Sequence, residues 1–161
     1  MTVRTVVGAL CLALVTAPPP VSAQSSPPDS PAAKKVVDLV TRAAGLVQQK
    51  GKAAFAEFRK PNSEWFSGDT YLFAYDMKGN VLLNPAFPKR EGTNVTGGKD
   101  ANGKLFHDEI IRTAQSAKGA GWVDYMFPKP GRTEPSHKWT YVRRVDIDGL
   151  PGLIGAGFYA D

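Results

Sequence analysis

The side chains that could do chemistry gather toward the end of the chain, in GWVDYMFPKPG, HKWTYVRRV and LIGAGFYAD. Trp122, Tyr125, Lys138 and Tyr141 combine aromatic walls, hydroxyl hydrogen-bonding groups and one cation. They fall in three β-rich segments that Pro and Gly punctuate into tight connections. Such a set suits a small, mainly apolar pocket in which a few polar groups fix a ligand's orientation. Lys138 is the sharpest member. Directed inward, its ammonium would want an anionic partner, because an unpaired buried charge is costly, and a ligand carboxylate would supply one. The other reading is an ordinary strand lysine facing solvent.

Other chemistries find little support. The two histidines, His107 and His137, have no metal-ligand spacing, and the sole cysteine, Cys11, lies far from both. Asp146 and Asp148 in DIDG form too short a segment to wrap calcium and fit a turn between strands. The run Gly155 to Ala160 matches a dinucleotide fingerprint on paper, but no helix follows to meet a pyrophosphate; its glycines instead allow close backbone approach within a strand. Asn94-Val95-Thr96 is a formal glycosylation sequon. No nucleophile elbow, paired zinc-binding histidines or phosphate loop occurs, so neither an enzyme, a metal nor a cofactor is expected. A net charge of +5 and a pI near 9.4 come from interspersed cations, which argues against nucleic acid and mildly favours anionic small molecules.

At the N-terminus, Arg4, an apolar run from Val6 to Ala17 and Val21-Ser22-Ala23 read as an export signal, expected over residues 1–23 and cleaved. The run is too short to span a bilayer, which takes roughly 20 residues. Its removal takes away Cys11 and one charge, Arg4, leaving +4 on 138 residues (161 less 23), a length suited to one hydrophobic core. No span is expected in the remaining chain. Residues 24–31, QSSPPDSP, have the composition of a disordered leader. Ser30 and Pro31 then offer an N-cap and a first helical residue. The apolar stripe Val36, Val40, Ala43, Val47, Ala54, Phe55 and Phe58 predicts helix over about 32–59, broken at Gly51. TYLFAYD and VLLNP predict a hairpin that puts Tyr71, Phe73 and Tyr75 on one face. A long loop from Ala86 to Gly103 follows, then a helix begun at Asp100 with Phe106, Ile110, Ala114 and Ala117 inward, His107 on the flank, and Asp108 paired with Arg112. Three strands, roughly 121–127, 138–146 and 152–159, complete an antiparallel sheet of five.

Several stretches in this order resemble the single Cache domain family, the PAS-like extracellular sensor modules of bacterial chemoreceptors and sensor kinases. They are GDTYLFAYDMKGNVLLNP (68–85), GTNVTGGKDANGKLF (92–106), GWVDYMFPKPG (121–131), Pro135 with Lys138-Trp139-Thr140-Tyr141-Val142, and the terminal GLIGAGFYAD. The resemblance implies an α+β fold over 32–161, with a long N-terminal helix on a five-stranded antiparallel sheet and the loop and helix over the ligand face. It implies a ligand held by Phe73, His107, Trp122, Tyr125, Lys138 and Tyr141, a periplasmic or secreted location, and signalling through a membrane receptor or sensor kinase, since the chain stops at Asp161 just after the last strand. The alternative is an accessory subunit that keeps the fold, has no ligand and works through a protein interface. N-terminal sequencing of the exported protein is expected to begin at Gln24; an intact Met1 would overturn the cleaved-signal reading.

Overall fold

The structure is a computed structural model describing residue 27 and residues 29–160; the expected signal at 1–23 lies outside the described residues. Helix α1 spans Pro31–Lys50. Its start is the expected one: the Ser30 hydroxyl accepts from the Ala33 amide at 3.1 Å, with proline in the first turn. Ala33, Val36, Leu39, Val40, Ala43, Ala44 and Val47 form its buried stripe. Most of a helix's stability in a protein comes from packing its amphipathic face, so burying that stripe is what holds it. Gly51 ends it at φ 58°, and a Cβ there would sit 1.6 Å from the Asp148 carboxylate. A 3₁₀ turn (Gly51–Ala54) and the short helix α2 (Phe55–Phe58) continue the apolar stripe.

The strands are β1 (Phe66–Ser67), β2 (Thr70–Asp76), β3 (Val81–Leu83), β4 (Ala120–Pro128), β5 (Pro135–Ile147) and β6 (Leu150–Tyr159). The last five are the expected strands, and the two-residue β1 is an addition. Their order is β1-β2-β6-β5-β4, with β3 also on β2 and all pairs antiparallel. The β2–β3 turn is closed by Asp76, whose carboxylate accepts from the amides of Lys78 (2.9 Å) and Asn80 (2.8 Å). At the β5–β6 turn the Asp146 carboxylate accepts from the Gly149 amide at 2.6 Å and Asp148 adopts φ 55°, so DIDG is a turn as expected.

Strand alternation sorts the core into two layers. Leu72, Ala74, Val145, Ile147, Ile154 and Ala156 meet α1 and α2 on one face of the sheet. Phe73, Tyr75, Val123, Tyr125, Phe127, Val142 and Leu153 line the other face, beneath helix α3 (Phe106–Gln115) with Ile110, Ile111 and Ala114. Two expectations are corrected here. Helix α3 starts at Phe106, because the Asp100 carboxylate is committed to a loop, accepting from the amides of Asn102, Lys104 and Met126, each at 2.9 Å. Asp108 does not pair with Arg112; its carboxylate accepts from the Gly97 amide at 2.9 Å and so fastens the loop to the helix.

On β6, Gly155 and Gly157 face the α3 side. A Cβ at Gly157 would lie 2.4 Å from the Trp139 carbonyl oxygen, 2.6 Å from Thr140 Oγ1 and 2.8 Å from Lys138 Cε. A backbone oxygen inside a sheet cannot retreat, so Gly157→Ala is expected to destabilise by about 1–3 kcal/mol in denaturant unfolding. Gly45→Ala, inside α1 with nothing within 4 Å of the added methyl, is expected to stabilise by roughly 0.5–1 kcal/mol. Equal effects at the two glycines would contradict this account of the β6 face.

Candidate ligand-binding site

The segment between β3 and α3 is a strap across the α3 face of the sheet. At one edge it pairs with the β2–β3 hairpin: the Val81 amide donates to the Thr93 carbonyl (2.9 Å) and the Val95 amide to that of Gly79 (3.0 Å). At the opposite edge it is tied to β4, through Asp100 on the Met126 amide and Lys104 Nζ on the Asp124 carbonyl (2.6 Å) and carboxylate (2.9 Å). The strap lays Phe87, Arg90 and Val95 over the sheet, and Val95 and Phe87 join the second core layer.

Beneath the strap lies Lys138, in register with Tyr125 on one side and Tyr159 on the other. It is 1% exposed. Its stem passes over Gly157, the space a Cβ would take, and its ammonium donates to the Tyr71 hydroxyl of β2 at 3.0 Å. Three rings surround the ammonium, with centroids at 4.2 Å (Tyr71), 5.0 Å (Tyr159) and 5.6 Å (Phe127). No ion pair joins Lys138 to a carboxylate among the described residues, only a distant influence of Asp69. Burial therefore pushes its pKa down to about 7, with Asp69 opposing weakly. The inward reading of Lys138 is the observed one. The Tyr71 phenol is raised well above its usual pKa, chiefly by burial.

His107, 2% exposed, stacks against Phe106 (3.8 Å between centroids) and reaches Tyr75. Arg90 Nη2 lies 3.1 Å from His107 Nε2, and a guanidinium can only donate, so Nε2 accepts. The proton must then sit on Nδ1, which donates to the Tyr75 hydroxyl at 3.2 Å. Burial, then the charge of Arg90, lowers the pKa of His107 to about 3, so the ring stays neutral. Tyr125 stacks on Phe106 (4.3 Å), and its hydroxyl is 2.9 Å from Thr140 Oγ1.

Of the six residues expected to hold a ligand, Phe73, His107, Tyr125 and Lys138 share this face. Phe73 lies among core side chains, its ring 5.0 Å from that of Tyr75. Trp122 and Tyr141 are on the opposite face: they are register partners, 5.2 Å apart between ring centroids, and pack against the α1 core. Trp122 lines an open groove of about 660 Å³ beside α1, with Asp29, Ala33, Val37 and Thr41. Strand parity explains the separation, because Lys138 and Tyr141 are an odd number of residues apart on β5. Tyr71, Phe127 and Tyr159, unmarked as site residues in the sequence, complete the cage. Parity relative to Lys138 and the pairing of β4 with β5 would have found them.

A long helix on one face of a six-stranded antiparallel sheet, and a strap and helix over the other, define a PAS-like sensor fold. The chain belongs to the Cache domain family, which matches residues 47–161. A periplasmic sensor domain of a chemotaxis protein superposes with a TM-score of 0.70 at 32% identity, over 80% of this chain and 94% of its own. A Cache chemosensory domain, solved to explain carboxylic acid recognition, superposes at 0.68 with 27% identity over 80% of this chain and 92% of its own. The methyl-accepting chemotaxis protein McpP of Pseudomonas putida is 30% identical over 96 residues. That match covers 60% of this chain and 17% of McpP, so the chain spans a minor part of the receptor's length. Cache domains are signal-sensing modules; one of these relatives is a periplasmic sensor domain and another a chemotaxis protein. No helix among the described residues is long and apolar enough to cross a membrane.

The pKa of Lys138 gives a signed prediction. Below about pH 7 the lysine is charged in both folded and unfolded chains, and the full desolvation cost is present. As pH rises from there toward the unfolded value near 10.4, the folded chain releases its proton first and stability rises. Denaturant unfolding of the ligand-free protein between pH 7 and 9.5 is expected to show this rise, with a limiting slope of roughly 1 kcal/mol per pH unit. Lys138→Met should flatten it. The window avoids His107, whose lowered pKa acts below pH 6.5, and the buried tyrosines, which act above pH 10. An unchanged profile in the variant would mean that Lys138 is not the titrating group.

Proposed function

We propose that this chain is an exported sensor domain that binds a short organic carboxylate at Lys138 and passes its occupancy to a membrane receptor or sensor kinase. The observation that carries the reading is a buried ammonium with no carboxylate partner among the described residues, ringed by aromatics on the face a strap covers. A ligand carboxylate supplies the missing charge, and Tyr71, now bonded to the ammonium, turns to the ligand as it enters. The relative solved for carboxylic acid recognition supports the ligand class. The chemotaxis receptor among the relatives supports a membrane partner, and the periplasmic sensor domain supports export after removal of residues 1–23. A sensing rather than catalytic role accords with the family.

One observation favours the accessory-subunit reading. Open grooves flank α1 on the other side of the sheet, one of about 660 Å³ and one of about 420 Å³, while the rings close tightly around Lys138. Substitution separates the two. In calorimetric titration with short carboxylates, Lys138→Met is expected to weaken binding by about 10–100-fold, the loss of a charge-assisted hydrogen bond. Tyr141→Phe, on the far face, should leave affinity unchanged, and wild-type affinity should fall as pH rises above 7 because the ligand needs the ammonium form. Binding untouched by Lys138→Met in a folded variant would sink the proposed site.

A further inference from the structure

Lys138 is not the sole cation under the strap. The Arg90 guanidinium carbon lies 5.3 Å from the centroid of the Phe127 ring, and the Lys138 ammonium lies 5.6 Å from the same centroid. Arg90 is half-buried, and its charge is felt by Tyr71, Tyr75, Tyr125 and His107, the groups that make up the site. The acids close to it in sequence or on α3 are engaged elsewhere. Glu91 takes a two-point contact from Arg59 (2.6 and 2.9 Å) and the Asn84 amide, and Asp108 takes the Gly97 amide. What holds Arg90 is a neutral relay, Arg90 to His107 to Tyr75, in which every group donates to the next and none offers a negative charge. Because the Tyr75 hydroxyl accepts from His107, its own proton is left to donate.

We infer that Arg90 is a second anion anchor of this site and that the ligand is a short aliphatic dicarboxylate, held with one carboxylate at Lys138 and the other at Arg90. The inference rests on the carboxylate reading given above and goes beyond it. One carboxylate neutralises one of the two cations bordering the Phe127 ring; two carboxylates neutralise both, and a guanidinium can take the second in a two-point contact that an ammonium cannot make. His107 is the positioning residue: pinned between Phe106 and Tyr75, it fixes where the guanidinium points.

Succinate and butyrate, equal in carbon number, test this by calorimetry on the purified protein at pH 6.5. Wild type is expected to bind succinate at least roughly tenfold more tightly than butyrate. Arg90→Leu should weaken succinate by about 10–100-fold and leave butyrate within about twofold, a split that a merely structural role would not produce. Arg90→Lys should recover part of the succinate affinity, and thermal melting of each variant checks the fold. Butyrate binding as tightly as succinate, or an equal loss of both in Arg90→Leu, would overturn the second anchor. If butyrate affinity then still depends on Lys138, the carboxylate-sensor reading stands without this one. Binding of neither acid would overturn both.

Discussion

A buried lysine with no carboxylate paired to it among the described residues is the constraint around which the rest of this molecule is arranged. An ammonium taken from water into an apolar layer costs several kcal/mol even after the protein relaxes, in domains whose whole stability is about 5–15 kcal/mol. Here the cost is lessened in three ways. Burial drives the pKa of Lys138 down to about 7, so near neutral pH a fraction of the molecules carry it uncharged. Tyr71 accepts its hydrogen bond, and the faces of Tyr71 and Tyr159 give it partial negative charge. Gly157 contributes by having no side chain, since only a bare Cα lets the lysine stem cross β6 to reach β2.

The sheet separates this charged layer from a wholly apolar one. β5 carries Lys138, Thr140 and Val142 toward the strap and Tyr141, Val145 and Ile147 toward α1, so a single strand touches both the strap-covered layer and the long helix. β6 does the same with Gly155 and Gly157 on one side and Ile154 and Ala156 on the other. A ligand biases a protein only through a difference in its affinity for two arrangements. The elements a ligand under the strap would touch are the strap, anchored at its two edges by hydrogen bonds and one ion-pair cluster, and the rings beneath it. The α1 layer, of small, branched and aromatic residues, lies across the sheet from them.

Much of this was legible in the sequence because the signals were local and periodic. The Ser30-Pro31 helix start, the stripe ending at Phe58, the TYLFAYD hairpin and the three final strands each carry their own pattern, and each element forms where expected. The family-specific stretches placed Lys138 among aromatics, and its burial agrees. What did not transfer was anything requiring two segments to be counted together. Trp122 and Tyr141 look like neighbours of Lys138 in sequence, yet strand alternation turns them to the α1 face. Asp100 looks like a helix start and Asp108 like a partner of Arg112, but each carboxylate is taken by backbone amides, which compete well for a carboxylate near a helix N-terminus. Arg90 sits in a strap without periodicity, and only the fold brings it to Phe127 and His107.

The same asymmetry tells how binding and stability are linked at this site. An occupant that brings negative charge recovers the desolvation cost already borne by the folded chain, so part of its binding free energy is relief of strain present before it arrives. A neutral molecule of the same shape finds no such gain, because the hydrogen bond it can accept from Lys138 only replaces the one Tyr71 already accepts. On the carboxylate-sensor proposal, the cage discriminates by charge first and by shape second. On that proposal a hydrophobic residue in place of Lys138 would make a more stable domain and a poorer sensor, the opposition between stability and function expected where a buried charge is kept for a ligand.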